Sequence, residues 1–374
     1  MNNLLYSETL LAEIGINSNT VRVMKQGIQR TSYRAVINWL TKYNPNADAS
    51  NLEKVKGLLE AFFHLCEVED VERAWKIIHC FLNTPTQEYL IEQLRTWGYY
   101  QIITDLCYYF LDKGLDVKKT AILLDRLGVI YSSIGDCNRA INYHYKSLKI
   151  AMQLQDFWLQ GNIYCNISFC YFKLGNFNKA IEYAEKSLEI AITTPDARLK
   201  SKSLHHLGLA YFYLEVDDRK AISYIEEALA IAQTIQANVL IGKIIGDLGS
   251  VYSELGMYEE AYKMYQERRD IAISSQSEPW EAIALCNLGN LFRKREEWDK
   301  GIEYLEKAIN ISKEIKDNET EGQSYYYLSL LFEKIDDKAR AVTVCKQAHD
   351  IAQFLPISLA QECQELMKML TTDD

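Results

Sequence analysis

The chain has 374 residues, of which 48% are hydrophobic and 25% charged, a balance that suits a water-soluble protein with a substantial core. Its formal net charge of −10 sets an unfavourable long-range field against nucleic acid and anionic membranes. Nine cysteines without a CxxC pair argue against a disulfide framework, and no apolar run approaches the ~18 residues of a membrane span.

From the N-terminus, helical stretches are expected around 6–14 and 20–42, separated by Gly15-Ile16-Asn17-Ser18 and closed by Asn44-Pro45-Asn46-Ala47-Asp48. Residues 1–50 thus read as a small helical cap or separate module. The opening MNNLLYSETL lacks a basic stretch followed by an apolar one, so a cytoplasmic location is expected. Within Leu11–Arg22 lies an arrangement like a DNA-binding helix-turn-helix, but its Ala12-to-Gly15 spacing is one residue short. A turn followed by a helix cap is the competing reading. A DNA-binding regulator acting through residues 1–40 is therefore kept as one alternative.

Residues 51–120 carry two weaker hairpin patterns. Leu58, Leu59, Phe62 and Leu65 precede Val71, Ala74, Ile77 and Ile78; Leu90, Leu94 and Trp97 precede Ile102, Leu106 and Phe110. They read as degenerate copies of the repeat that occupies residues 121–354.

That repeat occurs six times with a period of about 40. The template is Leu127-Gly128, Tyr131, Ile134-Gly135, Ala140 and Leu148-x-Ile150-Ala151. It returns at Ile167-Ser168, Leu207-Gly208, Leu248-Gly249, Leu288-Gly289 and Leu328-Ser329. Leucine and aromatic positions four apart share one helical face, so each copy is a helix-turn-helix hairpin. The small residue after the leucine admits a neighbouring helix closely. Gly135, Gly175 and Gly256 suit the left-handed end of the first helix. In three copies Glu215, Glu296 and Asp336 stand there instead, and a different cap is expected at those ends. The third copy has one extra residue within Glu215–Asp218, placed in its turn. After Pro356, residues 355–374 read as a capping helix and tail, with Ile357, Leu359, Leu366 and Met367 as its apolar face.

This pattern is similar to the tetratricopeptide-repeat (TPR) family, in the longer form found in LGN/Pins adaptors and kinesin light chains. The resemblance implies an all-α fold, a right-handed superhelical solenoid of stacked hairpins with an N-terminal helical cap. It also implies a non-catalytic adaptor or scaffold that binds a peptide or helix of another protein in its concave wall. The stretch Tyr43–Leu106 resembles segments preceding TPR arrays in cyanobacterial proteins, including NB-ARC/NACHT-type signalling ATPases, so a bacterial signalling context is expected. No GxxxxGK[ST] loop accompanies it. Rap-type bacterial regulators also join a helical bundle to such repeats and close on a short signalling peptide. They supply a second alternative, although their N-terminal motifs are missing here.

No catalytic group, metal site or cofactor is expected. The six histidines include no HExxH, and His205 and His206, being adjacent, point about 100° apart on a helix. No GxSxG elbow is present. Glu182 with Lys186 and Glu303 with Lys307 read as ion pairs on a solvated convex face.

The residue before each signature leucine gives a polar column: Arg126, Asn166, His206, Asp247, Asn287 and Tyr327. In LGN-type repeats this position is commonly an asparagine that bonds a peptide main chain, and the resemblance carries that role to Asn287 and, in part, Asn166. Asparagine offers both a donor and an acceptor. Lys173, Lys202, His205, Tyr213, Lys243, Asn290, Arg293 and Lys294 are the other expected groove positions. Because cations recur there in an acidic chain, a partner of acidic character is expected. Phe169, Phe172 and Phe212 are read either as apolar anchors or as core.

Overall fold

A computed structural model describes residues 7–46, 48–353 and 357–371. Among them are twenty helices and one isolated antiparallel bridge, Phe81 to Tyr89. The chain divides into two compact units, residues 1–113 and 114–374.

The first unit contains α1 (Ser7–Ile14), α2 (Ser18–Val23), α3 (Ile28–Lys42), α4 (Asn51–Glu67), α5 (Val71–Ile78), α6 (Leu90–Thr96) and α7 (Tyr100–Asp112). Asn17 starts α2 with a reciprocal cap: its side chain accepts from Thr20 N at 2.9 Å, and Thr20 Oγ1 accepts from Asn17 N at 3.2 Å. The single helix expected over 20–42 is broken, because Gly27 at φ 155° separates α2 from α3. Asp70 gathers neighbouring elements, accepting from Tyr33 at 2.6 Å and Arg73 at 2.7 Å, while Arg73 Nε donates to the Ile14 carbonyl. The second degenerate hairpin is less helical than its sequence suggests. α6 ends before Trp97, and the chain ahead of it is extended through the Phe81–Tyr89 bridge.

The second unit is a run of antiparallel hairpins: α8 (Val117–Ser133) with α9 (Cys137–Gln153), α10 (Phe157–Lys173) with α11 (Phe177–Thr193), and α12 (Ala197–Tyr213) with α13 (Asp218–Thr234). α14 (Asn238–Glu254) with α15 (Tyr258–Ser274), α16 (Glu278–Lys294) with α17 (Trp298–Ile315), and α18 (Asn318–Lys334) with α19 (Lys338–Ala352) continue it. α20 (Ile357–Thr371) packs on α19, burying Leu359, Cys363 and Leu366 against the last hairpin. Pro356 lies outside the described residues. Each hairpin alone would leave an apolar face bare, and stacking buries it in a succession of apolar clusters between neighbouring helices. The extra residue of the third copy falls between Tyr213 and Asp218, as its turn position requires.

The turn inside each hairpin is nearly the same whatever residue stands in it. Gly135, Gly175 and Gly256 have φ of 88°, 72° and 77°; Glu215, Glu296 and Asp336 have 56°, 61° and 61°. The different cap expected at the last three is not found. Their amides bond the carbonyls of Phe212, Arg293 and Glu333 at 2.9–3.1 Å, as Gly175 bonds Phe172. Stacking overrides the ~1–2 kcal/mol that a non-glycine residue loses in this region.

The small position after the signature leucine obeys a size rule. Where it is glycine, a large side chain of the second helix covers it: His144 over Gly128, Ile225 over Gly208, Tyr265 over Gly249 and Leu305 over Gly289. A Cβ at Gly289 would lie 2.5 Å from Leu305 Cγ. Where it is serine, the covering residue is small, Ala184 or Cys345. The serine hydroxyl then donates across the hairpin: Ser168 to the Ala180 carbonyl at 2.7 Å and Ser329 to Ala341 at 2.9 Å.

Candidate functional site

The predicted groove residues stand on the first helices of the hairpins. The arrangement is clearest from α10 to α16. Asn166, on α10, turns its amide to Asp125 of α8 at 3.1 and 3.2 Å, and Asp125 is also 2.7 Å from the buried His144 ring. Its donor is therefore engaged within the protein. Asn287, at the matching place on α16, is half-buried and makes no side-chain hydrogen bond among the described residues. Arg126 is half-buried on α8.

His205 and His206 do not stand open on the groove wall, because both are buried in α12. His206 stacks on Phe169, centroids 5.5 Å apart, and its Nδ1 lies 3.2 Å from the Cys165 carbonyl. His205 Nε2 lies 3.0 Å from Asp247 Oδ2, on α14. Burial pulls both imidazoles below the ordinary histidine value, His206 furthest, so both are neutral near pH 7. Burial alone would raise the Asp247 carboxyl, but the bond from His205 and the charges of His205, Arg268 and Lys243 hold it below its usual value.

Positive charge gathers around this carboxylate, from Lys243 and Arg268, and beside His206, from Lys202. The Lys243 ammonium sits 3.9 Å from the Phe169 centroid, a close cation–aromatic contact. Lys202 is half-buried and makes no ion pair among the described residues. Arg268 reaches in from α15, 7% exposed, with its Nε lacking any hydrogen-bond partner. Beside them Phe172, Phe177 and the exposed Tyr213 form an aromatic cluster, with centroids 5.4–5.9 Å apart. Phe212 is buried core.

The remaining predicted residues are tied to other groups. Lys173 forms an ion pair with Glu319 of α18. Lys294 pairs with Glu254 at 2.9 Å. Arg293 Nε donates to Asn290 Oδ1 at 3.0 Å and lies 6.0 Å from the Tyr327 centroid. Burial raises the Tyr327 hydroxyl pKa. Sequence reading missed Arg268, Asp125 and Glu319. Arg268 alone had a signal, as the one large residue in a column of serine and alanine.

Among the described residues no group of three or more His, Cys, Asp or Glu side chains is placed to hold a metal ion. None of the described helices is long and apolar enough to cross a membrane.

Comparison with known proteins agrees with this architecture. Residues 159–234 and 280–353 match one tetratricopeptide-repeat family model and 243–267 another, while 88–167 match that of anaphase-promoting complex subunit 5. The regulatory protein RapK of Bacillus subtilis (strain 168) is 33% identical over 105 residues, 26% of this chain and 26% of RapK. The chain thus matches about a quarter of that relative's length. A Rap protein solved with competence and sporulation factor superposes with a TM-score of 0.64 at 13% identity, over 95% of this chain and 94% of that one. NprR, solved with its cognate peptide NprX, gives 0.54 at 17% identity, over 86% and 84%. At these identities the structural matches show the fold alone. The second unit of this chain is an array of tetratricopeptide repeats.

Proposed function

We propose that the protein is a non-catalytic, cytoplasmic interaction module that binds an acidic peptide segment of a partner in the concave groove of residues 121–354. The carrying observation is a charge imbalance. Lys243 and Arg268 act on Asp247, which lies 3.0 Å from His205, and Lys202 adds a further positive charge beside His206. Lys202 and Asn287 present half-buried polar heads with no protein partner among the described residues. An extended chain with carboxylate side chains supplies both the charge and the main-chain groups these positions lack. The complexes in which Rap and NprR were solved support a ligand in this fold.

The test is selection from a displayed random-peptide library on the whole protein. Enriched peptides should carry Asp or Glu, and a Lys202→Glu, Lys243→Glu variant that still folds should lose them. Unchanged binding by that variant would remove the groove assignment.

A second reading, a regulator whose repeats close on a peptide, is favoured by the Lys173–Glu319 pair, which joins the second and sixth hairpins. Small-angle scattering with and without a selected peptide separates it from a static scaffold, since only the regulator should compact. DNA binding through residues 1–40 has less support, because α2 has six residues and makes fewer than two turns.

A further inference from the structure

Arg268 breaks the pattern of its own repeat. The equivalent residues, eleventh in each second helix, are Ser147, Ser187, Ala228, Ala308 and Ala348. This is a crossing point where only a small side chain fits: Ser147 and Ser187 bond the carbonyls of Ala121 and Gly161 on the facing helix at 2.7 and 2.9 Å. An arginine has no room there unless the facing helix yields. It does yield, at Gly246. The equivalent positions are Asp125, Cys165, His205, Cys286 and Tyr326, so glycine is as unusual in that column as arginine is in the other. A Cβ built on Gly246 would fall 1.8 Å from Arg268 Nη1 and 2.6 Å from Cζ. The guanidinium thus occupies the space that a side chain fills in every other hairpin. Two anomalies, one in each helix, fit each other.

The exchange carries a second-helix residue past the first helix to the groove side. There Arg268 influences the titration of His205 and Asp247, yet it lies beyond ion-pair distance of that carboxylate. The side chain is 93% buried, its Nε has no partner, and no hydrogen bond from the rest of the guanidinium is made among the described residues. Both ring nitrogens of His205 are buried without a well-aligned hydrogen bond, although Nε2 approaches Asp247 Oδ2 to 3.0 Å. A guanidinium desolvated to this degree ordinarily has a bidentate acceptor. Burial lowers its pKa, and the charges of Asp247 and Tyr265 only partly offset that.

We infer that Arg268, with Lys243 and His205 beside it, is a receptor for one carboxylate group of the groove-bound peptide, held by the guanidinium through the opening made by Gly246. This rests on the proposed peptide groove and sharpens it: Lys202 and Lys243 give general attraction for acidic chains, whereas Arg268 fixes the register of one carboxylate. That carboxylate is either a peptide's C-terminus or an Asp or Glu side chain.

The experiment compares the wild-type chain with Arg268→Ala and with the double variant Gly246→Cys, Arg268→Ala. The double variant recreates the pairing of Cys286 with Ala308 in the next hairpin, so it has a precedent for folding in this chain. Two small probes are titrated at constant ionic strength and followed by thermal shift and by calorimetry. N-acetylglycine mimics a C-terminus and N-acetylaspartic acid α-amide mimics a side chain. At least one should bind the wild type and bind the double variant about ten- to a hundredfold more weakly, the loss expected for a charged hydrogen-bonded pair. The probe that binds identifies the source. Without probe, the double variant should unfold at a urea concentration equal to or above that of the wild type. If neither probe distinguishes the proteins, or if the double variant is much less stable without probe, Arg268 is a structural partner of Asp247 and the inference is wrong. The peptide selection judges the groove reading separately, since the probes address the Arg268 pocket even where no peptide is enriched.

Discussion

Lys173, the last residue of α10, pairs with Glu319 in the first turn of α18, joining positions 146 residues apart within the repeat unit. Each charge also complements its own helix, the ammonium at a C-terminus and the carboxylate at an N-terminus. Burial would lower the Lys173 pKa, but Glu319, with smaller help from Cys137 and Asp317, raises it overall. The side chains are 25% and 32% exposed, so the pair should stabilise by no more than about 1 kcal/mol. Its importance is geometric. Lys173→Glu should leave the urea midpoint almost unchanged yet increase the radius of gyration in small-angle scattering. Lys173→Glu with Glu319→Lys should restore the compact value. Equal radii for all three proteins would make the contact incidental.

The size rule at the helix crossing gives a coupled prediction. Gly289→Ser places a Cβ against Leu305 and should cost about 2 kcal/mol through overpacking. Leu305→Ala alone leaves a cavity and costs about 2–5 kcal/mol. Together they recreate the Ser168–Ala184 arrangement, in which the hydroxyl reaches a carbonyl. The double variant should therefore be less destabilised than the sum of the singles by about 1 kcal/mol or more in a urea cycle. Strict additivity would refute the rule.

How much of this was readable beforehand differs by level. The hairpins from 121 to 354, their turns and the one-residue insertion before Asp218 were legible, because stacking repeats the same constraints every 40 residues. The convex pairs were legible for the same reason: Glu182–Lys186 and Glu303–Lys307 are both formed, at 2.5 Å. Residues 7–113 carry at most degenerate copies of the pattern, and there the break at Gly27 and the extended bridge at Phe81 leave no sign in the sequence. At the groove, spacing indicated which side of a helix a residue stands on but not how deep it lies. Spacing alone therefore puts His205 and His206 on the groove side, although packing buries them. Asn166 and Lys173 stand on a first helix, as their spacing indicates, but their partners, Asp125 and Glu319, come from other hairpins and leave no local mark. The Arg268–Gly246 exchange was visible as two column anomalies and became informative only when their contact was seen.

Three of the turns inside the repeat hairpins hold acidic residues in a left-handed conformation, which glycine adopts more readily. Glu296 is exposed and has φ 61°. Glu296→Gly removes the Cβ penalty of ~1–2 kcal/mol and loses part of it to the greater freedom of unfolded glycine, about 0.5–1 kcal/mol. A net gain of about 0.5–1 kcal/mol is expected, read as a higher urea midpoint. A loss of stability would mean that the Glu296 side chain has a role the turn geometry does not reveal.

The buried histidines should make the repeats acid-sensitive. Burial, the largest influence on both, keeps the folded pKa of His205 and His206 below the ordinary 6.5, against the pull of Asp247 on His205 and with Lys243 and Lys202 adding to the effect on His206. Between the depressed folded value and 6.5 the unfolded chain binds protons that the folded chain does not. Stability therefore rises with pH through this window and falls as pH drops from 6.5 toward 5, by at most about 1.4 kcal/mol per pH unit for each histidine. Asp247, also depressed, adds its own loss only near and below its ordinary 3.8, so the two effects are separable. His206→Gln retains a donor for the Cys165 carbonyl and cannot titrate. Urea midpoints measured at several pH values should show a shallower decline for this variant between 6.5 and 5, with the His205 contribution remaining. Parallel declines for the two proteins would mean that His206 is protonated in the folded state, and its burial against Phe169 would then need another account.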